Sequence, residues 1–296
     1  MTVREPGSST ERDRLDPVAA RHAVARFSDP DHVEWLLPRS EPLDLSGLVT
    51  VVTGAGHGIG TAIAHALARG GATVGMVDID PALLEEAMQA EGRLDRFVAD
   101  IANPDEGPGA LEQVARKYGR LDAVVNNAGL VHADPFLDVP YETWRRVMHV
   151  NADGAFLMTQ TAGRIMRTQP IDPGSSRRGL IINVSSMAAE FGRATLSAYG
   201  ASKAALNHLS KSAAIALAPY QVQTTVVYPG NIREGMWGRL GEMIAKAEGR
   251  TPEEVDSERV FQGATEFASI VADVLAYPGF DLNGALVAWD RSVLPL

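Results

Sequence analysis

Short apolar runs alternate with longer segments of helical periodicity from Leu48 to the end of the chain. This alternation is typical of strands that are joined by helices and lie parallel in one sheet. The runs are apolar throughout, rather than at every second residue, which indicates burial on both faces of the sheet. Strands are predicted at residues 48–53, 73–77, 96–99, 123–126, 180–184, 223–227 and 285–288.

Helical patterns fill the segments between these runs, and in the first of them Ile59, Ile63 and Leu67 form one stripe. Seven strands and six helices predict an α/β fold, a doubly wound parallel sheet of the Rossmann-like kind, in a single domain over residues 46–296. Residues 168–179 are rich in Pro, Gly and Ser and predict an exposed loop. Helices are predicted at residues 58–70, 81–91, 107–119, 140–168, 197–219 and 258–276.

Residues 1–45 are predicted to be an N-terminal extension, because Arg, Asp, Glu, Ser and Pro dominate them. Only residues 18–27 have the pattern of a short amphipathic helix. Two interpretations stay open: a flap or arm that contacts a site or a neighbouring subunit, and a partly disordered tail. No apolar core segment is present, so a secretory signal is not predicted.

The charge balance restricts the partners that the chain can bind. Asp and Glu outnumber Lys and Arg by 37 to 27, a net charge of −10, which disfavours nucleic acid and anionic membranes. No stretch reaches the roughly 20 apolar residues that span a bilayer. Cysteine is absent, so no disulfide forms and no metal site is expected. We therefore expect a cytoplasmic protein with a small-molecule partner.

The segment TGAGHGIG at residues 53–60 joins the first strand directly to the first helix. Glycine lets the backbone turn tightly and approach a phosphate, while the N–H groups and the positive end of the helix attract its charge. In this setting the loop predicts a dinucleotide site. The residues expected to form it are Gly54, Gly56, His57, Gly58, Ile59 and Gly60.

Asp78 ends the second predicted strand, roughly 20 residues past the glycine loop. A carboxylate there can accept hydrogen bonds from the adenosine ribose and would repel a 2′-phosphate. Ile79 and Asp80 follow, so no cation is at hand for that phosphate, and NAD is predicted over NADP. The alternative is that Asp78 caps the next helix, a place for which Asp80 is better suited.

Several motifs resemble those of the short-chain dehydrogenase/reductase family. The spacing of Gly54, Gly58 and Gly60 is similar to its glycine motif, and residues 126–129, NNAG, match a second motif at the end of the fourth strand. The resemblance implies that NNAG supports the sheet and the cofactor ribose. Two side-chain amides at a strand end can satisfy buried backbone groups that water does not reach.

Tyr199 and Lys203 stand four residues apart and therefore share one helix face. Ser186 lies 13 residues before Tyr199, the spacing of the same family, which favours it over Ser185. Asn151 matches the family's fourth catalytic position. The resemblance implies that Tyr199 exchanges a proton with the substrate, Ser186 donates to the substrate oxygen, and Asn151 holds a water behind Lys203.

The Lys203 ammonium and a positive nicotinamide ring are both expected to lower the pKa of Tyr199 from its usual value of about 10. Lys203 would also hold the nicotinamide ribose. The resemblance places Asp100 beside the adenine, although a simple turn aspartate is an equal alternative. The other implied cofactor contacts are Ile79, Ile101, Asn127, Ala128, Gly129, Pro229, Gly230 and Ile232.

Two features depart from the family pattern. Glu234 stands where the family usually has a threonine that hydrogen-bonds the carboxamide, and the C-terminal WDRSVLPL lacks the usual Asp-Gly-Gly ending. Residues 233–257 fall where the family has a substrate lid. Apolar residues recur there at helical spacing, either as a lid over a lipophilic substrate or as packing against the body. They are Met236, Trp237, Leu240, Met243 and Ile244.

The motifs together predict an NAD-dependent oxidoreductase that transfers a hydride between the nicotinamide and a secondary alcohol or ketone. The alternative is a nonredox or cofactor-recycling epimerase, dehydratase or cyclase on the same scaffold, suggested by Glu234 and the unusual ends. A noncatalytic NAD-binding protein is less expected, since it would more readily have lost Tyr199 or Lys203. Family resemblance also implies a homo-oligomer, a dimer or tetramer.

Overall fold

The computed structural model describes residues 34–35, 43–89, 92–171, 175–279 and 282–296. The helix predicted at residues 18–27 lies outside them, as does nearly all of the predicted extension at 1–45.

Within these ranges, nine strands form one sheet in the order β1-β11-β10-β7-β6-β5-β2-β3-β4. The seven strands from β10 to β4 are parallel, β11 is antiparallel to β10, and β1 is antiparallel to β11. A separate parallel pair joins β8 to β9. The strands are β1 Glu34–Trp35, β2 Val49–Thr53, β3 Thr73–Asp78, β4 Arg93–Val98, β5 Ala123–Asn126, β6 Gly179–Val184, β7 Val222–Tyr228, β8 Asn231–Ile232, β9 Phe261–Gln262, β10 Ala285–Ala288 and β11 Ser292–Pro295.

Helices connect the strands, and a π-helical turn at His149–Gly154 links α4 to α5. The single helix predicted at residues 140–168 is therefore three consecutive helical segments. The helices are α1 Gly58–Arg69, α2 Pro81–Ala87, α3 Glu106–Tyr118, α4 Tyr141–Met148, α5 Ala155–Met166, α6 Ser197–Leu217, α7 Trp237–Glu248, α8 Pro252–Ser257 and α9 Ala264–Ala276.

The predicted single domain with a doubly wound parallel sheet is confirmed, with shifted bounds at its edge. β4 begins at residue 93 rather than 96. Its residues vary between exposed and half-buried, because β4 is an edge strand, so it lacks the continuous apolar run of the central strands. The helix predicted from residue 258 starts at Ala264, since β9 occupies the residues just before it.

The core lies on both faces of the sheet. On one face α1 and α9 bury Ile63, Leu67 and Phe267 completely. On the other face α3 and α5 bury Leu111 and Met158. Full burial of a side chain of this size contributes roughly 1.5–3 kcal/mol. Both layers therefore hold the parallel strands in register.

None of the helices in the described ranges has the length and apolar character needed to cross a membrane.

The carboxyl ends of all parallel strands in one sheet lie at the same edge. Three of the strands here end in a polar residue. Thr53 ends β2, Asp78 ends β3 and Asn126 ends β5. In open α/β sheets ligands bind in the crevice outside these carboxyl ends. The fold therefore gathers the residues that the sequence marks as functional at one edge.

Gly60→Ala is expected to destabilise the fold by about 3 kcal/mol, because overpacking at a site that cannot yield is costly. An added Cβ would lie 2.0 Å from Gly54 O and 2.6 Å from Asn127 Nδ2. Gly109→Ala, in helix α3, is the matched control, since its Cβ would meet nothing within 4 Å and alanine gains up to about 1 kcal/mol in a helix. Urea unfolding measures both, and equal effects would contradict this packing.

Candidate active site

The glycine loop is held in a backbone conformation that leaves no room for side chains. Gly54 and Gly58 have φ values of +63° and +59°, a region that favours glycine. A Cβ on Gly54 would lie 2.8 Å from Ala128 Cα. The loop leads directly into the N-terminus of α1, where backbone N–H groups have no partner within the helix. This geometry fits an anionic ligand such as a dinucleotide pyrophosphate.

Asp78 links the glycine loop to the end of β3. Its Oδ2 accepts from Gly56 N at 2.9 Å and its Oδ1 accepts from Asp80 N at 3.1 Å. Asp80 is the cap of α2, accepting from Ala82 N at 2.8 Å and from Leu83 N at 3.3 Å. The capping role that was the alternative for Asp78 therefore belongs to Asp80.

The NNAG amides satisfy buried polar groups. Asn127 N and Ala128 N both donate to Thr53 Oγ1 at 3.0 Å, and Asn127 Nδ2 donates to Thr53 O at 2.9 Å. Asn126 Nδ2 donates to Asn183 Oδ1 at 2.8 Å. These bonds connect the ends of β2, β5 and β6 where water is excluded, so that the strand ends form one surface.

The π-helical turn places Asn151 beneath the site, where it is 1% exposed. Its Oδ1 accepts from Leu130 N at 2.7 Å, and its Nδ2 donates to Leu130 O at 2.8 Å and to Ser202 Oγ at 2.9 Å. A Cβ on Gly129 would lie 3.2 Å from Asn151 Oδ1 and 3.6 Å from Lys203 Nζ. Both side chains therefore converge on the NNAG segment.

Ser186, Tyr199 and Lys203 are brought together by the end of β6 and by α6. Lys203 Nζ donates to Val184 O at 2.8 Å and lies 5.7 Å from the centroid of the Tyr199 ring. Ser186 and Tyr199 line the same cavity, and Ser186 is close enough to lower the pKa of Tyr199. Ser185 is buried instead and donates to Lys203 O at 3.3 Å, which is a structural contact. Ser186 lines the cavity beside Tyr199, and Ser185 is not among the lining residues.

Burial controls the ionisation of both groups. It raises the pKa of Tyr199, against the hydrogen bond with Ser186, which lowers it. Without the cofactor, burial therefore outweighs the expected effect of the Lys203 ammonium, and the pKa of Tyr199 is raised rather than lowered. Burial lowers the pKa of Lys203 to about 8, because desolvation disfavours the charged ammonium.

A cavity of about 1060 Å³ extends from the glycine loop to Ser186 and Tyr199. Three predicted site residues do not line the cavity: Gly56, Asn151 and Lys203. Most other predicted site residues line it: Gly54, His57, Gly58, Ile59, Gly60, Asp78, Ile79, Asp100, Ile101, Asn127, Ala128, Gly129, Ser186, Tyr199, Pro229, Gly230 and Ile232. Across the described chain, no three His, Cys, Asp or Glu residues come together as metal ligands would.

A hydrogen-bonded cluster of buried Tyr228 and Asn207 with exposed Glu190 was not predicted. Tyr228 OH donates to Glu190 Oε1 at 2.6 Å, and Asn207 Nδ2 donates to both partners. Burial and the Glu190 carboxylate raise the pKa of Tyr228. The cluster ties β7 to α6 and to the segment after Ser186. The one available signal was the position of Asn207, one helical turn after Lys203.

Residues 233–257 contain α7 and α8, and α7 contributes to the cavity wall. Strands β8 and β9, which pair with each other, flank this segment in the sequence. Trp237 and Ile244 are buried against Ala133 and also line the cavity. Met243 packs there without reaching the cavity wall. The apolar residues of this segment therefore pack into a hydrophobic cluster, and some of them also line the cavity.

Glu234 has a structural contact at the start of this segment. Its Oε2 accepts from Ala264 N at 3.3 Å, at the N-terminus of α9, where the Gly263 cap has no side chain to offer. The carboxylate also lines the cavity.

Residues 48–245 match the family described as short chain dehydrogenase. The chain is 33% identical to 3-oxoacyl-[acyl-carrier-protein] reductase of Thermotoga maritima over 79% of this chain and 98% of that one. It is 37% identical to the NADP-dependent (R)-specific alcohol dehydrogenase of Lentilactobacillus kefiri over 64% of this chain and 75% of that one. An NAD⁺-bound xylitol dehydrogenase structure matches with a TM-score of 0.75 and 30% identity, over 82% of this chain and 97% of that one.

Lys203→Met is expected to change how the stability of the cofactor-free protein depends on pH. With a pKa of about 8 instead of 10.5, the buried ammonium costs the folded state on the order of 3 kcal/mol below pH 8. Above about pH 8 the folded protein has lost this proton while the unfolded chain keeps it, so stability recovers towards pH 10.5.

The free energy of unfolding of the variant should therefore exceed that of the original protein at pH 7 and lose this advantage as the pH rises. Chemical denaturation at several pH values gives both curves. Parallel curves between pH 7 and pH 10 would contradict the depressed pKa of Lys203.

Proposed function

Because this chain belongs to the short-chain dehydrogenase family, we propose that it is an NAD-dependent member that oxidises a secondary alcohol or reduces the corresponding ketone. Family membership makes it an enzyme that acts on CH–OH or C=O groups of a small molecule with a nicotinamide cofactor. The observation that carries the proposal is that one continuous cavity is lined by the glycine loop and by both Ser186 and Tyr199.

The residues present fit a dinucleotide. The close backbone approach at Gly54 and the free N-terminus of α1 would hold the pyrophosphate. Asp78 would hold the adenosine ribose, while Pro229 and Gly230 would flank the nicotinamide. When bound, the nicotinamide accepts a hydride from the carbinol carbon or returns it to the carbonyl carbon.

Tyr199 carries the proton in this account. In oxidation its phenolate takes the hydroxyl proton as the carbinol hydride leaves, which yields a ketone; reduction reverses both transfers. Ser186 donates to the reacting oxygen and stabilises the charge that develops there. Burial disfavours the phenolate, so positive charge from Lys203 and from the bound cofactor must offset it. Asn151 fixes the backbone at Leu130 behind Lys203.

The preference for NAD rests on Asp78. Its two oxygens already accept from Gly56 N and Asp80 N, and each oxygen has a second lone pair for a ribose hydroxyl. The carboxylate would repel a 2′-phosphate. Relatives with either cofactor occur, since one is named NADP-dependent and one structure contains NAD⁺. Family membership therefore does not predict the cofactor, and the preference for NAD is inferred from Asp78 alone.

The nonredox alternative is not favoured. It was suggested mainly by Glu234. The hydrogen bond that Glu234 accepts from Ala264 N gives this carboxylate a structural role, so a different reaction is not needed to explain it. The substrate lid at 233–257, the extension at 1–45 and a homo-oligomer remain predictions.

Tyr199→Phe should lower kcat by about 10²–10⁴-fold, the usual contribution of a positioned acid or base, while NAD affinity stays nearly unchanged. Tyr141→Phe is the matched control, because Tyr141 is 68% exposed and lies outside the cavity. Reduced nicotinamide formed from a panel of secondary alcohols gives the rate. Full activity in the Tyr199 variant would refute the assignment.

Asp78→Ala should raise the Kd of NAD more than that of NADP, moving the ratio of the two by about tenfold or more, because a hydrogen bond to a charged group contributes about 1.5–3 kcal/mol. Loss of the Gly56 contact weakens both cofactors, so the ratio is the readout. Asp105→Ala, which removes an exposed carboxylate outside the cavity, is the control and should leave the ratio unchanged. Titration calorimetry measures each Kd, and an unmoved ratio for Asp78→Ala counts against the NAD assignment.

A further inference from the structure

We propose that Arg193 binds a carboxylate at the far end of the substrate, which makes the substrate an apolar hydroxy or keto carboxylate. This inference rests on the proposed function, because it concerns the same cavity.

Arg193 lies on the segment between Ser186 and Tyr199 and lines the cavity. The backbone there is fixed, since Arg193 O accepts from Leu196 N at 3.3 Å and Thr195 O accepts from Asp134 N at 3.0 Å. The guanidinium is therefore attached to the same short segment as the two groups that would contact the reacting oxygen.

The Arg193 side chain has neither an ion pair nor a hydrogen bond within the part of the chain that the structure describes. Two other charged groups of the cavity have partners. Arg259 lies 5.0 Å from the Trp237 ring, and Glu248 pairs with Arg250 at 3.1 Å. Arg193 is exposed at the edge of this cavity, and an unpaired guanidinium can bind the two oxygens of a carboxylate.

Arg146 on α4 also lines the cavity, and no side-chain contact is formed by it within the described residues. It precedes Asn151 by five residues and is not on the segment that carries Ser186 and Tyr199. We therefore assign the carboxylate to Arg193 and use Arg146 as the control within the same cavity.

The wall around the reacting groups is largely apolar, which sets the character of the substrate between its two polar ends. The apolar residues that line it are Leu130, Val131, Met187, Leu196, Trp237, Leu240 and Ile244. A hydrocarbon body would be desolvated there at a gain of roughly 25 cal/mol per Å².

The net charge of −10 does not prevent an anion from binding. The net charge is a sum over the whole chain, and charges separated by more than the screening length, about 8 Å at physiological salt, are largely screened. A carboxylate carries one charge and two coplanar oxygens, which suits one guanidinium better than a doubly charged phosphate does.

The test compares matched secondary alcohols in a series of chain lengths, each offered as the terminal carboxylate and as its methyl ester. At one or more lengths, kcat/KM should be about tenfold or more higher for the carboxylate. Arg193→Ala should remove most of that ratio and Arg193→Lys should retain part of it. Arg146→Ala and Arg239→Ala, the latter an exposed arginine outside the cavity, should keep it.

Equal kcat/KM for acid and ester at every length would overturn the inference, as would a ratio that survives Arg193→Ala or disappears in Arg146→Ala. A preference for phosphate monoesters over carboxylates would also overturn it.

If no alcohol is oxidised, the proposed function fails and the inference is read separately from binding. Unreactive fatty carboxylates of the same lengths should then raise the Tm of the original protein and of Arg146→Ala, but not that of Arg193→Ala. Equal shifts in all three would reject Arg193 as the carboxylate site.

Discussion

The site depends on how closely the turn after β2 approaches the end of β5. A Cβ on Gly54 would lie 2.8 Å from Ala128 Cα, and one on Gly60 would lie 2.0 Å from Gly54 O. Thr53 Oγ1 seals the contact by accepting from Asn127 N and Ala128 N. Because this contact leaves no space for a side chain, it fixes the N-terminus of α1 relative to the ends of β2 and β5.

Buried polar groups extend this constraint across the sheet edge. The Asn151 side chain is hydrogen-bonded to the Leu130 backbone and to Ser202 Oγ. Lys203 Nζ donates a hydrogen bond to Val184 O. These bonds hold the backbone that surrounds the reacting groups, but they leave an ammonium in a poorly solvated place. The depressed pKa of Lys203 and the raised pKa of Tyr199 share this cause, and both make the site responsive to the charge of a bound cofactor.

Local signals in the sequence predicted the central sheet and most of the cavity wall. The continuous apolar runs of β2, β5 and β6 and the glycines after β2 are short-range patterns, and the chemistry of phosphate binding depends on them directly. β4 was harder, because an edge strand carries no continuous apolar run. The two-residue pair of β8 and β9 has no pattern of its own, so the start of α9 was placed too early.

Contacts between distant residues account for what the sequence did not reveal. Glu190 meets Tyr228 across 38 residues and Glu234 caps α9 across 30 residues, and neither pair has a spacing that suggests contact. The π-helical turn that carries Asn151 likewise has no periodic signature. Glu234 departs from the family pattern, and the sequence alone did not indicate what its carboxylate contacts. The structure shows that it accepts a hydrogen bond from Ala264 N.

The proposed function requires that a hydride pass directly between the carbinol carbon of the substrate and a nicotinamide bound in the same cavity. It is tested most directly with a secondary alcohol that carries deuterium at the carbinol carbon, incubated with the protein and NAD. Mass spectrometry of the cofactor should find the label in the reduced nicotinamide, in an amount equal to the ketone formed. Reduced cofactor without label, or product formed while the label passes to solvent, would contradict hydride transfer at this site.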